Sequence, residues 1–351
     1  MRIIHTADFH LGMTQYHLKA REDDFYSAAT YVFTRAKALA ADLIVLAGDV
    51  FDAIKPPARA VRFLSDLVRV TGIEVAGVDG NHDSADNDWL KVCGITPVHK
   101  TVIERQGIRI TGLNSMRPAV FYHELEQLTQ PADIIVLHQA VAELANAPFA
   151  DLSAMEMIAK LKQLGIRYVA LGDIHDSKEM QIGGIEFVYP GSTEMTAVNE
   201  QRDKLFYLLV IEPDKPMRLT AEPIPVRPVL ELEVRTQQDL DNLLVACDRQ
   251  RTALVLARYD STIGDLESKL SEILRSRDIL FITRPIAVEQ QLIGQLNKEQ
   301  RERTGLLARQ EEAVKAYFEQ TSDAYQLTCR LLQTPANVDG IVREYTASRG
   351  L

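Results

Sequence analysis

Asp8 and His10, Asp49 and Asp52, Asn81 and His82, His138, and Asp173 and His175 are residue types that bind divalent ions and move protons. They fall in five short clusters: Asp8-Phe9-His10, Gly48-Asp49-Val50-Phe51-Asp52, Gly80-Asn81-His82-Asp83, a lone His138, and Asp173-Ile174-His175. Carboxylates, imidazoles and one amide oxygen suit borderline-to-hard divalent ions such as Mn²⁺, and the absence of thiolate argues against a soft-metal site. A single carboxylate such as Asp49 can bridge two ions, which two-metal hydrolases hold ~3.5–4 Å apart. Such a pair lowers the pKa of a bound water and clamps a phosphoryl group as charge builds on its oxygens. Each cluster alone says little. An aspartate at a strand end is ordinarily a turn residue or a helix N-cap, and a lone histidine on an apolar strand ordinarily bonds to backbone. The ordered set is a strong signal, because every cluster closes an apolar run.

Those runs are "RIIHTAD", "DLIVLAGDVFD", "IEVAGVDGNHD", "ADIIVLHQA" and "YVALGDIHD". Each has a mostly β-branched or leucine core followed by an abrupt polar cluster, as expected of strands covered on both faces. Helix-like stretches lie between them: "REDDFYSAATYVFTRAKALA", "PPARAVRFLSDLVRVT" and "DLSAMEMIAKLKQLG", the last with Asp151 as the expected N-cap and Gly165 as the C-cap. Alternation of this kind predicts an α/β fold. "IRITGLNS", "IEFVYPGS", "KLFYLLVIE" and "RLTAEPIPV" read as strands with little helix between them, so the sheets are expected to be mixed. In open α/β sheets ligands gather at the carboxyl ends of the strands, which would bring the five clusters together. Gly48 and Gly80 would let the backbone turn sharply there.

Pro223, Pro225 and Pro228 mark a stiff connector and a domain boundary. We therefore expect domains at 1–225, 226–285 and 286–351. The second reads as three strands with two helices between them. The third is helical and polar, and fits either helices packed on the chain's own body or an amphipathic arm docking on a partner.

The 351 residues are 46% hydrophobic and 25% charged, the profile of a soluble globular protein. No apolar run is long enough for a bilayer, and the start lacks a signal-peptide pattern, so a cytoplasmic protein without membrane contact is expected. Cys93, Cys247 and Cys329 suggest neither a disulfide framework nor a zinc motif. The net charge of −10 argues against holding nucleic acid by bulk positive charge. It leaves nucleic acid open as a substrate, since divalent cations or a basic partner could supply the missing charge.

The order of the motifs resembles the calcineurin-like metallophosphoesterase superfamily, and within it the SbcD-type nuclease subunits of bacterial SbcC–SbcD complexes with their archaeal and eukaryotic DNA-repair counterparts. The segments that carry the likeness are "HTADFHLG", "LAGDVFD", "GNHDS", "VLHQ", "YVALGDIH" and "VYPGS". The resemblance implies a metallophosphoesterase sandwich of two mixed sheets flanked by helices, a small α/β capping domain, and a helical C-terminal arm that binds an SbcC-like ATPase. It implies that Asp8, His10, Asp49 and His175 hold one metal, and that Asp49 bridges to a second completed by Asn81, His138 and residue 173. His82 would act near the leaving oxygen, and Asp52 would steady a ligand histidine. The implied activity is a metal-dependent DNA phosphodiesterase, exonucleolytic on double-stranded ends and endonucleolytic on single strands. It would use two divalent ions per chain, Mn²⁺ ahead of Mg²⁺, and work as a homodimer, with the Trp89 region as a dimer contact.

One position departs from the family. Where the family writes G-H-x-H this chain writes G-D-I-H, with Asp173 in place of an imidazole. Either Asp173 ligates the second metal through oxygen, giving a harder and more anionic site, or that metal is lost and the fold serves as a non-catalytic scaffold. The other motif residues are intact and aspartate is itself a good ligand, which favours a working site. A phosphoesterase acting on a small molecule or a phosphoprotein is the same-fold alternative; it has no evident need of a capping unit and a helical arm. His5, His17, His99 and His123 have no motif around them and read as packing or surface residues.

Overall fold

The computed structural model describes residues 1–83, 88–145, 152–197, 200, 203–212, 215–249, 253–260, 266–277 and 279–286. The expected helical arm lies outside the described residues. The chain divides into two compact units, Met1–Arg227 and Pro228–Leu351, at the proline-rich stretch.

In the first unit the elements run β1 (Arg2–Thr6), α1 (Lys19–Ala38), β2 (Leu43–Ala47), α2 (Ala58–Thr71), β3 (Glu74–Val78), α3 (Trp89–Val92), β4 (Thr96–Pro97), β5 (Ile103–Arg105) and β6 (Ile108–Leu113). They continue with α4 (Pro118–Gln127), β7 (Ile134–His138), α5 (Ala142–Ala145), α6 (Ala154–Leu164), β8 (Tyr168–Gly172), β9 (Lys178–Ile182), β10 (Ile185–Tyr189), β11 (Lys204–Val210) and β12 (Arg218–Ile224). Two six-stranded sheets result, in the orders β12-β11-β1-β2-β3-β4 and β5-β6-β7-β8-β10-β9. Both are mixed: β1, β2 and β3 are parallel and β11 is antiparallel to β1, while β6, β7 and β8 are parallel and β9 is antiparallel to β10.

The continuous apolar runs follow from what covers each face. In β2, Leu43, Val45 and Ala47 face the second sheet and share a core with Ile134, Val136 and Ala170. Ile44 and Leu46 point the other way, against Phe33 of α1 and Leu64 of α2. Strand periodicity sends alternate residues to opposite faces, so a strand apolar at every position must be buried on both. The outer face of the second sheet is closed by α4 and α6 through Phe121, Leu125, Met157 and Leu161. Helix α1 buries Phe25, Ala29, Val32, Phe33 and Ala36, a stripe at helical spacing.

Helix α6 differs from the sequence expectation at its start. Its N-cap residue is Ser153 rather than Asp151. The capping acceptor comes from elsewhere: Glu143 Oε2 accepts the N–H of Ala154 at 2.8 Å, and Oε1 accepts the Ser153 hydroxyl at 2.7 Å. Gly165 closes the helix in the left-handed region, at φ 81°. Helix α4, with Pro118 in its first turn, and the short strands β4, β5 and β9 are further elements that the apolar pattern did not reveal.

The described part of the second unit is a βαβαβ layer: β13 (Val229–Val234), α7 (Gln237–Arg249), β14 (Leu254–Tyr259), α8 (Leu266–Ser276) and β15 (Leu280–Pro285). Its three strands are parallel. Val234, Val255 and Ala257 form its core with Leu243 of α7 and Leu270 and Leu274 of α8. Among the described residues, no helix is long and apolar enough to cross a membrane.

Candidate metal centre

The carboxyl ends of β1, β2, β3, β7 and β8 meet where the two sheets of the first unit come together. The junction is a set of backbone bonds between strand ends: Asp8 N–H donates to Gly48 O at 3.0 Å and His10 N–H to Asp49 O at 3.0 Å. His138, from the second sheet, pairs its Nδ1 with Ala47 O of the first at 2.8 Å. Close approach requires Gly48 and Gly80, since a Cβ on the former would run into the His138 ring and on the latter into Asp49 Oδ1. Asp8, His10, Asp49 and Asp173 all lie at positive φ, at 53°, 45°, 48° and 95°. Left-handed backbone at non-glycine residues costs ~1–3 kcal/mol each and persists where its surroundings enforce it, often at functional sites.

All nine site residues expected from the sequence converge here. His10 Nε2 lies 3.1 Å from His175 Nε2 and 4.0 Å from Asp49 Oδ2. Beside them, His138 Nε2 is 2.8 Å from Asn81 Oδ1, 3.5 Å from Asp49 Oδ1 and 3.6 Å from Asp173 Oδ1. Among the described residues, three groups of side chains offer ligand atoms within 4.8 Å of one another: Asp8 with His10 and His175, Asp8 with Asp49 and His138, and His10 with Asp52 and His82. Asp8 is common to the His10–His175 group and the His138 group, and Asp49 lies 4.0 Å from His10 through one carboxylate oxygen and 3.5 Å from His138 through the other. Asp52 Oδ1 sits 3.4 Å from His10 Nδ1. His82 donates its backbone N–H to Asp49 Oδ1 at 2.9 Å, and its ring Nδ1 meets Asp52 O at 2.8 Å.

The donor inventory shows what this arrangement lacks. Ala47 O can only accept, so His138 presents Nδ1–H to it and a neutral ring turns the Nε2 lone pair toward Asn81 Oδ1, Asp49 and Asp173. Acceptors facing acceptors need a cation or a proton between them. Without an ion, a proton held on the His138 ring fills that need. Burial opposes charge on His138, yet Asp49, with help from Asp8 and Asp173, overcomes it and lifts the imidazole to about 10. Burial raises Asp8 to about 6 against the pull of His138 and His175. It also works against ionised Asp49, but His138, His10 and the His82 N–H bring that carboxyl down to about 2. Burial raises Asp173 too, with Asp49 adding to it and His138 opposing. Carboxylates this close, holding a proton on His138 by their charge, fit divalent ions, which would take that proton's place.

Two supports escaped the sequence reading. Asp83, the last letter of G-N-H-D, is buried and accepts the N–H groups of Val50, Phe51 and Gly80 at 3.1, 3.0 and 3.0 Å, which ties the second and third motifs together. Glu200, beyond "VYPGS", accepts from His175 Nδ1 at 2.9 Å. The first was visible as an unassigned fourth position in a quoted motif. The second had no local pattern to announce it.

Residues 1–213 match the calcineurin-like phosphoesterase superfamily domain, and the chain belongs to that superfamily. It is 29% identical over 244 residues to the DNA double-strand break repair protein Mre11 of Methanosarcina mazei, covering 65% of this chain and 39% of that one. It is 26% identical over 266 residues to Mre11 of Aeropyrum pernix, covering 66% and 63%. An uncharacterized metallophosphoesterase of Bacillus subtilis, YhaO, is 25% identical over 237 residues, covering 60% and 57%. The matched part thus spans less than two thirds of the length of each of these relatives.

Proposed function

We propose that the chain is a metal-dependent phosphodiesterase acting on DNA, exonucleolytic on duplex ends and endonucleolytic on single strands. The observation that carries the reading is the pair of ligand groups that share Asp8 at one junction of strand ends, with Asp49 between His10 and His138, in a chain similar to DNA-repair proteins. Asp8, His10, Asp49 and His175 would hold one divalent ion, and Asp49, Asn81, His138 and Asp173 a second, Mn²⁺ before Mg²⁺. When bound, the pair supplies the positive charge a phosphodiester needs as negative charge builds on its oxygens, and a source of hydroxide near neutral pH.

The chain's own groups do the rest. Asp52 lies 3.4 Å from His10 Nδ1, where it would steady that ring. The bond from His82 Nδ1 to Asp52 O fixes the ring and leaves Nε2 for a second proton, the one it would pass to the departing sugar oxygen. Asp173 reaches the His138 side through oxygen, and its N–H faces both Asp8 carboxylate oxygens at 3.3 Å. The second unit would correspond to the family's capping domain and the C-terminal region to the arm for an SbcC-like ATPase, with the whole acting as a homodimer.

End-labelled duplex DNA and a generic nitrophenyl phosphodiester, each offered to the full chain with Mn²⁺ and with chelator, test the reading. Manganese-dependent shortening of the DNA is expected, with Asp49→Asn inactive. Hydrolysis of the nitrophenyl diester with DNA left intact would point to a small-substrate enzyme instead.

A further inference from the structure

Behind His175, on the side away from His10, lies a buried hydrogen-bonded group on the segment between β10 and β11. The Glu200 side chain is 9% exposed and that of Lys204 is 1% exposed. Glu200 Oε1 meets His175 Nδ1 at 2.9 Å and accepts the Ala197 N–H at 3.0 Å; Thr196 Oγ1 bonds the same oxygen and lies 2.7 Å from His175 Nδ1. Glu200 Oε2 takes Lys204 Nζ at 2.7 Å, the Thr196 N–H at 3.1 Å and the Ser192 hydroxyl at 3.3 Å. Lys204 Nζ also reaches His175 O at 3.1 Å and Ser192 Oγ at 2.8 Å. The segment is itself anchored to the body of the unit: the fully buried Arg21 of α1 donates to Met195 O at 3.0 Å and to Glu194 Oε1 at 3.2 Å, and Gln15 Nε2 donates to Thr196 O at 2.6 Å.

We propose that Glu200, held by Lys204, is a positioning residue that fixes His175 as the Nδ1–H tautomer with its Nε2 lone pair turned into the metal centre. The inference rests on the reading of His175 as a ligand. A carboxylate can only accept, so its bond to Nδ1 places the proton there and frees Nε2. Lys204 grips both ends of the arrangement, the carboxylate that holds the ring and the carbonyl of the residue that carries it. Its ammonium also balances the Glu200 charge, so the ring is oriented without a net negative charge being added beside Asp8 and Asp49. Without that grip, the ring is free to turn or to take the other tautomer, which points N–H at His10 Nε2.

The test uses the full, chelator-stripped chain as wild type, Glu200→Ala, Glu200→Gln and His175→Ala. Manganese affinity is read by titration calorimetry and the tautomer of the metal-free ring by imidazole ¹⁵N shifts; circular dichroism melts report folding. Glu200→Ala should weaken one binding step ~10–100-fold, the range typical of groups behind a ligand, leave the other step alone, and show His175 as a mixture of tautomers. In Glu200→Gln the amide oxygen still accepts from Nδ1, so the Nδ1–H tautomer should persist and much of the affinity should return. A folded Glu200→Ala protein with unchanged affinity and an unchanged Nδ1–H ring would overturn the proposal, provided His175→Ala does weaken binding. If His175→Ala itself binds manganese like wild type, the ligand reading fails, and this inference with it.

Discussion

His5 and His138 are both buried histidines at strand positions, and their surroundings send them in opposite directions. His138 faces carboxylates and holds charge. His5 lies between Tyr168 Oη at 2.8 Å and Leu171 O at 3.2 Å, and burial drives it down to about 3. The sign of the consequence for stability is fixed. The unfolded chain binds a proton at His5 below its ordinary value near 6.5, while the folded chain stays neutral there until about 3. The stability His5 contributes is therefore complete above pH 6.5 and falls away as pH drops from there toward 3. Between pH 7 and 5 the loss should be about 2 kcal/mol. Chemical denaturation of metal-free wild type and His5→Leu at both pH values checks this. The variant should be less stable at pH 7, because Tyr168 loses a partner, and its stability should fall less on acidification.

At the scale of elements, the candidate metal centre is made by the ends of β1, β2, β3, β7 and β8, and these were readable because each is an apolar run stopped by a chemically distinctive cluster. The doubly buried strands left a clear trace in composition. Helix α4 did not, since its face carries only Phe121 and Leu125 as fully buried residues and its hydrophobic pattern is correspondingly short. The start of α6 was misplaced for a related reason: local sequence offered Asp151 as a cap, while the acceptor that serves Ala154 is Glu143, supplied by α5. Glu200 escaped notice for the same physical cause as Glu143. A side chain that acts on a residue brought close only by folding leaves no spacing to detect. The cap can be measured. Glu143→Ala should cost about 1 kcal/mol in thermal or urea unfolding, within the range of lost N-caps, and should leave manganese affinity unchanged. A loss of affinity together with stability would mean that α6 is coupled to the centre.

For the whole molecule, net charge and site chemistry pose one problem together. The chain carries −10, and its centre gathers Asp8, Asp49, Asp52 and Asp173 in one place. A phosphodiester will not approach such a surface without compensating cations. Two divalent ions would bring four positive charges to the point where the substrate's phosphate must sit. On this account the acidic composition is compatible with DNA as a substrate, and Asp173 adds oxygen and charge to the His138 side of the centre. On the proposed reading the departure from G-H-x-H would change the character of a metal position without removing it.

The most direct test is the number of manganese ions held per chain. Equilibrium dialysis of the chelator-stripped protein against Mn²⁺, with Asp173→Ala beside it, should give two ions for the wild type and one for the variant, with both proteins folded. One ion or none in the wild type, unchanged by the substitution, would contradict the two-ion centre and leave LGDIHD as the remnant of a lost site on a scaffold.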